Sequence, residues 1–127
     1  MKLLLDTHIF LWYIRRDRKL SDDFRDSIRN PANEVYLSVV SLWEAIIKYR
    51  IGKLSLPQAP EIYLPIQRER HRIASLVLDE ASVSQLANLP ELHRDPFDRM
   101  LICQAIEHGL TIVTVDQALR VYPVTVL

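Results

Sequence analysis

Four short apolar runs constrain this chain more than any other feature. Lys2–Leu5, Val35–Val39, Ile73–Leu78 and Leu110–Val115 are each about the length of one buried strand, and helix-length segments separate them. The last run is apolar almost throughout, as a strand covered on both faces must be. Strand–helix alternation of this kind predicts an α/β fold on a mainly parallel sheet. With 127 residues and no repeat, linker or low-complexity segment, residues 1–127 form one domain.

The segments between the runs carry helix signals. Thr7 is placed to cap a helix from Ile9 to about Arg15. Ser21 precedes Asp22 and Asp23, a cap followed by first-turn acids that favour the helix dipole. Asn30-Pro31-Ala32-Asn33 is a turn. Ser41-Leu42-Trp43-Glu44 has the spacing of a capping box, and Gly52 closes the helix it opens. Pro57 and Pro60 precede a helix over about Glu61–His71, and Asp79 or Glu80 begins one that ends near Leu89-Pro90. Asp95-Pro96 sets a cap and a first-turn proline, and Gly109 ends that helix, whose Met100, Leu101, Cys103, Ala105 and Ile106 form a buried face. A short helix follows from Gln117, and Val124–Leu127 is a candidate last strand.

Composition removes whole classes. Hydrophobic residues make up 49% and lysine plus arginine balance aspartate plus glutamate at 16 each, which excludes disorder as the main state. One cysteine, Cys103, excludes a disulfide scaffold, and its place among apolar residues predicts a core position. No apolar run approaches the ~20 residues of a membrane span. The opening Met1-Lys2-Leu3-Leu4-Leu5 meets Asp6 at once and has no signal-peptide core, so a cytoplasmic location with no membrane association is expected. Glycine occurs only at 52 and 109, so neither a dinucleotide fingerprint nor a P-loop exists.

Ligands of open parallel sheets bind outside the carboxyl ends of the strands. Asp6 ends the first run and Asp116 the last; Glu44 lies early in the helix after the second run. Asp98, in the first turn of the helix from Asp95, joins them if that helix runs in the same sense. Carboxylates gathered in one cleft raise each other's pKa, a conflict that a hard divalent cation removes. Each acid also has a plain structural role available: Glu44 in its capping box, Asp95 and Asp116 as caps, Asp98 on the helix dipole. Their joint placement is what points to Mg²⁺ or Mn²⁺ and phosphodiester chemistry.

Other features are weaker. The four histidines have no zinc spacing, although His93 stands two residues before Asp95. Basic residues cluster at Arg15–Lys19, at Lys48, Arg50 and Lys53, and at Arg68, Arg70 and Arg72. They are solvated faces by default; Lys48 and Arg94, close in sequence to the acids, are the better phosphate-contact candidates. Phe10, Trp12, Tyr13 and Trp43 are expected in the core, with a partner groove as the other use of so apolar a helix. An aspartyl phosphatase wants a second acid where His8 stands, and a receiver domain wants an acidic pair there and a late lysine, so neither reading fits.

Leu3-Leu4-Leu5-Asp6-Thr7-His8, Leu37–Glu44 with Lys48 and Gly52-Lys53-Leu54, and above all His93–Ile102 running on through Ala105–Asp116 form an ordered set across the whole chain. It resembles the PIN-domain ribonucleases, specifically the VapC-type toxins of toxin–antitoxin pairs. The resemblance implies a PIN-like α/β/α sandwich and an acidic quartet of Asp6, Glu44, Asp98 and Asp116. Asp6 and Asp98 would be the most direct metal ligands, with Glu44 and Asp116 completing the site directly or through water. Asp95, Thr7 and Ser38 would support them. It further implies Mg²⁺- or Mn²⁺-dependent hydrolysis of RNA to 5′-phosphate and 3′-hydroxyl ends, a VapB-like antitoxin as partner, and a homodimer. The alternative is a catalytically silent PIN-like module that binds RNA or a partner. The intact quartet argues against it.

Overall fold

The computed structural model describes residues 1–92 and 94–127. The element order is β1 (Lys2–Leu5), α1 (Thr7–Arg15), α2 (Asp22–Arg29), β2 (Glu34–Ser38), α3 (Val39–Arg50), α4 (Pro60–Arg70), β3 (Ala74–Leu76), α5 (Glu80–Ser84), α6 (Pro96–His108) and β4 (Thr111–Val113). Short 3₁₀ turns at Gln85–Asn88 and Gln117–Val121 extend α5 and follow β4. The strands form one parallel sheet in the order β3-β2-β1-β4. Val126 makes a single parallel bridge to Ile112, so the expected last strand is reduced to one pairing.

Pleating divides the core into two layers. Leu3, Leu5, Val35, Leu37 and Val113 face α1, α2 and α4 in one apolar cluster. Leu4 and Ile112 point the opposite way and pack with Leu101, Ile102 and Ala105 of α6. Because side chains alternate across a strand, three consecutive leucines in β1 must meet apolar partners on both faces, and all three are fully buried.

Several local signals act as the sequence predicts. Ser21 accepts the Phe24 N–H at the start of α2, and Asp79 accepts the Ser82 N–H at the start of α5. Asp95 accepts the Phe97 and Asp98 N–H groups, Pro96 takes the first turn of α6, and Gly109 ends it with φ +64°. Cys103 is fully buried.

Other expectations need correction. The strand at Val35–Val39 ends at Ser38, and α3 begins at once at Val39, with Ser38 accepting the Val40 N–H. Ser41 and Glu44 are therefore helix-interior residues and form no capping box. Thr7 caps nothing: α1 starts at Thr7 itself, and its hydroxyl is used elsewhere. The runs Ile73–Leu78 and Leu110–Val115 pair only over three residues each. Trp43 is not core; it is 54% exposed and edges against Phe97, on an outward α3 face with Val39 and Ile47 that Ile51, just past the helix end, continues.

Candidate functional site at the carboxyl edge of the sheet

The chain leaves β1 toward β2 on one side, while β4 returns to pair with β1 on the other. The carboxyl ends of β1 and β4 therefore flank the switch point of the sheet, where neighbouring connections diverge and leave a crevice. Asp6 is the first residue after β1, and Asp116 follows β4 by three. A cavity of about 310 Å³ opens there, lined by Asp6, Glu44, Asp95, Asp98 and Asp116 together with His8, Trp12, Lys48 and Val115. Helix α6 thus starts at this edge, which brings Asp98 to the other acids.

Three of these carboxylates, Asp6, Glu44 and Asp98, are buried, and a network holds the site together. The Thr114 hydroxyl donates to Asp6 Oδ2 at 2.7 Å. The hydroxyl oxygen of Thr114 also accepts the Asp116 N–H at 3.0 Å, and Asp116 in turn caps Ala118. Thr7 Oγ1 lies 2.8 Å from Ser41 Oγ and 2.9 Å from Glu44 Oε1. A carboxylate accepts only, so the single Thr7 proton goes to Glu44 and Ser41 supplies its own to Thr7. The Lys48 ammonium donates to Glu44 Oε2 one helical turn on.

The electrostatics are unbalanced. Burial pushes the Asp6 carboxyl above its ordinary range; the Thr114 hydrogen bond and the nearby His8 pull it down, and Glu44 adds to the rise. Burial pulls Lys48 down, but the hydrogen bond and charge of Glu44, with Asp95 and Asp98, more than reverse this and raise it. Among the described lining residues, five carboxylates stand with the Lys48 ammonium and His8.

A family model of the PIN domain matches residues 3–124. The chain belongs to the PIN-domain family. This PIN domain is 26% identical over 133 residues to Ribonuclease VapC22 of Mycobacterium tuberculosis, an alignment spanning 98% of this chain and 97% of that protein. Among solved structures it is similar to VapBC2 from Rickettsia felis bound to a promoter DNA fragment (TM-score 0.73, 19% identity, 100% of this chain and 98% of that one). It is also similar to DNA-bound VapBC from Salmonella typhimurium (TM-score 0.69, 25% identity, 100% and 97%). The PIN-like α/β sandwich expected from the sequence is the fold observed.

The donor set of the PIN domain's cavity is chemically suited to a hard divalent cation: oxygen only, anionic, and partly desolvated. Among the described residues, no three His, Cys, Asp or Glu side chains already stand together as a metal cluster. Asp6, Glu44 and Asp116 spend oxygens on Thr114, on Thr7 and Lys48, and on Ala118, yet each carboxylate has about four lone-pair sites and so keeps capacity for a cation.

The remaining sequence candidates divide between the PIN-domain cavity and places outside it. Thr7 touches Glu44 directly. Ser38 does not line the cavity; it is buried and donates to Gln104 Oε1 at 2.6 Å, a structural tie between the start of α3 and α6. Asp95 lines the cavity while capping α6. Arg94 is exposed and outside the lining, whereas Lys48 belongs to it. His93 lies outside the described residues. Sequence reasoning missed Thr114 and Gln104. Both are polar residues inside otherwise apolar stretches, and a buried polar side chain in such a place must have partners.

Proposed function

We propose that this PIN domain is a Mg²⁺- or Mn²⁺-dependent endoribonuclease, the toxin of a toxin–antitoxin pair, with Asp6, Glu44, Asp98 and Asp116 as its metal-holding acids. One observation carries the reading: five carboxylates, three of them buried, line one cavity at the sheet's switch point. Anionic oxygens gathered this closely and partly desolvated are costly by themselves and useful around a cation. The full-length similarity to a protein named a ribonuclease supports the reaction class, and the VapBC complexes among its structural neighbours support a VapB-like antitoxin as partner. The exposed apolar α3 face of Val39, Trp43 and Ile47, continued by Ile51 at the helix end, supports association with a second copy.

The chain's own residues set the stage for hydrolysis. Thr114 keeps Asp6 oriented and counters the protonation that burial favours. Thr7 and Lys48 fix both oxygens of Glu44. Asp95 caps α6 and so aims its first turn, with Asp98, at the cavity. A bound divalent cation supplies acidified water and neutralises charge on the attacking and leaving oxygens of the phosphodiester. Lys48 and Arg94 are proposed to touch the RNA.

The test is a paired cleavage assay. Antitoxin-free protein and Asp98→Ala are incubated with total RNA in Mg²⁺, in Mn²⁺ and in EDTA. Cuts that need metal, leave 5′-phosphate ends and are lost in Asp98→Ala are expected. Equal cutting by the variant would sink the quartet; a folded, metal-loaded parent that cuts nothing would favour the silent binding module.

A further inference from the structure

A second cavity, of about 410 Å³, lies between α1 and the end of α3. It shares His8, Trp12 and Lys48 with the acidic cavity, so the two adjoin across these three side chains. Its polarity is the reverse: Arg15, Lys19, Lys48 and Lys53 line it and, among the described residues, no carboxylate does. Two of the four cations are committed, Arg15 to the Ser55 carbonyl oxygen and Lys48 to Glu44. Lys19 and Lys53 are exposed and have no ion-pair partner among the described residues. Lys19 Nζ lies over the half-buried Trp12 ring, 6.0 Å from its centroid, so a base that takes this ring face displaces the ammonium toward the base's own phosphate. The chain's other arginine-rich cavities, around Arg18 and Arg25 and around Arg70 and Arg72, share no residue with the acidic one.

Resting on the ribonuclease reading above, we propose that this basic cavity is a nucleotide subsite for single-stranded RNA. Lys19 and Lys53 pair with the phosphate next to the one cleaved, and Trp12 stacks on its base. The juxtaposition favours nucleic acid over an acidic peptide. A strand that threads both cavities presents one phosphate to the metal-holding acids and the next to ammonium groups that no described acid pairs with. An acidic peptide gains from the basic half and is repelled by the other. Stacking on an aromatic face tolerates any base, and phosphate pairing carries no sequence information, so this subsite contributes grip rather than target choice.

The test uses an Asp98→Asn background in Mg²⁺, which keeps RNA intact, and reads binding of a random-sequence single-stranded RNA pool by fluorescence anisotropy across a salt series. Lys19→Ala with Lys53→Ala should flatten the slope of log affinity against log salt by about 0.7, the value for one phosphate of a single strand left unneutralised. Trp12→Ala should weaken binding about tenfold without changing the slope, and Trp12→Phe should keep most of it. Melting curves check that every variant is folded; Trp12→Phe covers the case in which Trp12→Ala is not. Unchanged slope and affinity in the lysine variant, while the parent cuts RNA, overturn the subsite and leave the ribonuclease reading standing. So does failure of the Asp98→Asn protein to bind RNA that the parent cuts. An oligoglutamate peptide is titrated in parallel: if the lysine variant loses binding to it while RNA binding stays intact, the cavity is a protein-docking surface instead. A parent that neither binds nor cuts RNA overturns both readings.

Discussion

The Thr114 hydroxyl donates to Asp6 Oδ2 at 2.7 Å across the seam between β4 and β1. Its oxygen also accepts the Asp116 N–H, so one buried side chain orders acids on both sides of the switch point. Burial raises the Asp6 pKa, and this hydrogen bond is the largest influence opposing the rise. Thr114→Val keeps the shape and removes the hydroxyl. Asp6 then holds its proton to still higher pH, and the acidic limb of the pH–rate profile for RNA cleavage moves upward, with a much smaller loss on the alkaline side. Stability should fall by about 1–3 kcal/mol for the unpaired groups left behind. A profile superimposable on the parent's would remove Thr114 from any role in setting Asp6.

Asp6→Asn separates folding from function. The folded-state pKa of Asp6 lies above its unfolded value, so the native state binds the proton more tightly. Its contribution to stability is fully present below the unfolded pKa and declines as pH rises through the raised folded pKa. At neutral pH the ionised carboxylate therefore opposes folding of the metal-free protein. Asp6→Asn should melt higher than the parent in EDTA, by about 3–5 °C for each kcal/mol gained, while losing cleavage. Saturating Mg²⁺ should stabilise the parent by mass action, about 2.7 kcal/mol at a hundredfold excess over Kd, and the variant far less. A variant that melts lower in EDTA would show that burial of the Asp6 carboxylate does not oppose folding.

Much of this architecture is legible in the sequence because the deciding signals are local. β1 is apolar on both faces and ends at an acid, so its bounds, Lys2–Leu5, match the expectation. Ser21, Asp79, Asp95-Pro96 and Gly109 act through bonds within a few residues. The start of α3 is not legible, because β2 runs into it without a loop. Val39 and Val40 prolong the β pattern, and Ser41-x-x-Glu44 imitates a cap that Ser38 in fact supplies. What Glu44 does instead depends on Thr7, 37 residues away, and no local pattern encodes that pairing. Thr114 and Gln104 are silent for the same reason: their partners, Asp6 and Ser38, lie 108 and 66 residues distant.

Gln104 is a stability residue without a place in the cavity. Fully buried, its Oε1 accepts from the Ser38 hydroxyl at 2.6 Å and its Nε2 donates to the Val77 carbonyl oxygen at 3.1 Å. It ties α6 to the β2–α3 junction and to the segment after β3. Gln104→Leu is similar in size but strands both partners, at a cost of about 1–3 kcal/mol. The denaturant midpoint should fall with the slope unchanged, and cleavage per folded molecule should match the parent. A midpoint equal to the parent's would mean that water replaces both bonds without loss.

Lys48 is the internal counter-charge of the acidic cavity. It pairs with Glu44 and feels Asp95 and Asp98, which together hold its pKa up against burial. Lys48→Met takes the ammonium from Glu44 Oε2 and leaves the buried carboxylate with the Thr7 hydroxyl on its other oxygen. Breaking a fully buried pair costs about 3–5 kcal/mol; since Lys48 is 36% exposed and screened by solvent, a loss of about 1–2 kcal/mol in EDTA is expected. Metal should then matter more. A cation entering the variant's cavity meets the same carboxylates without a competing ammonium, so the rise in melting temperature on adding Mg²⁺ should exceed the parent's. Thermal melts of both proteins in EDTA and in saturating Mg²⁺ decide the point. An equal or smaller rise in Lys48→Met would mean that the ion and the lysine do not share these acids, and the cation would then have to sit outside the cavity that Glu44 lines.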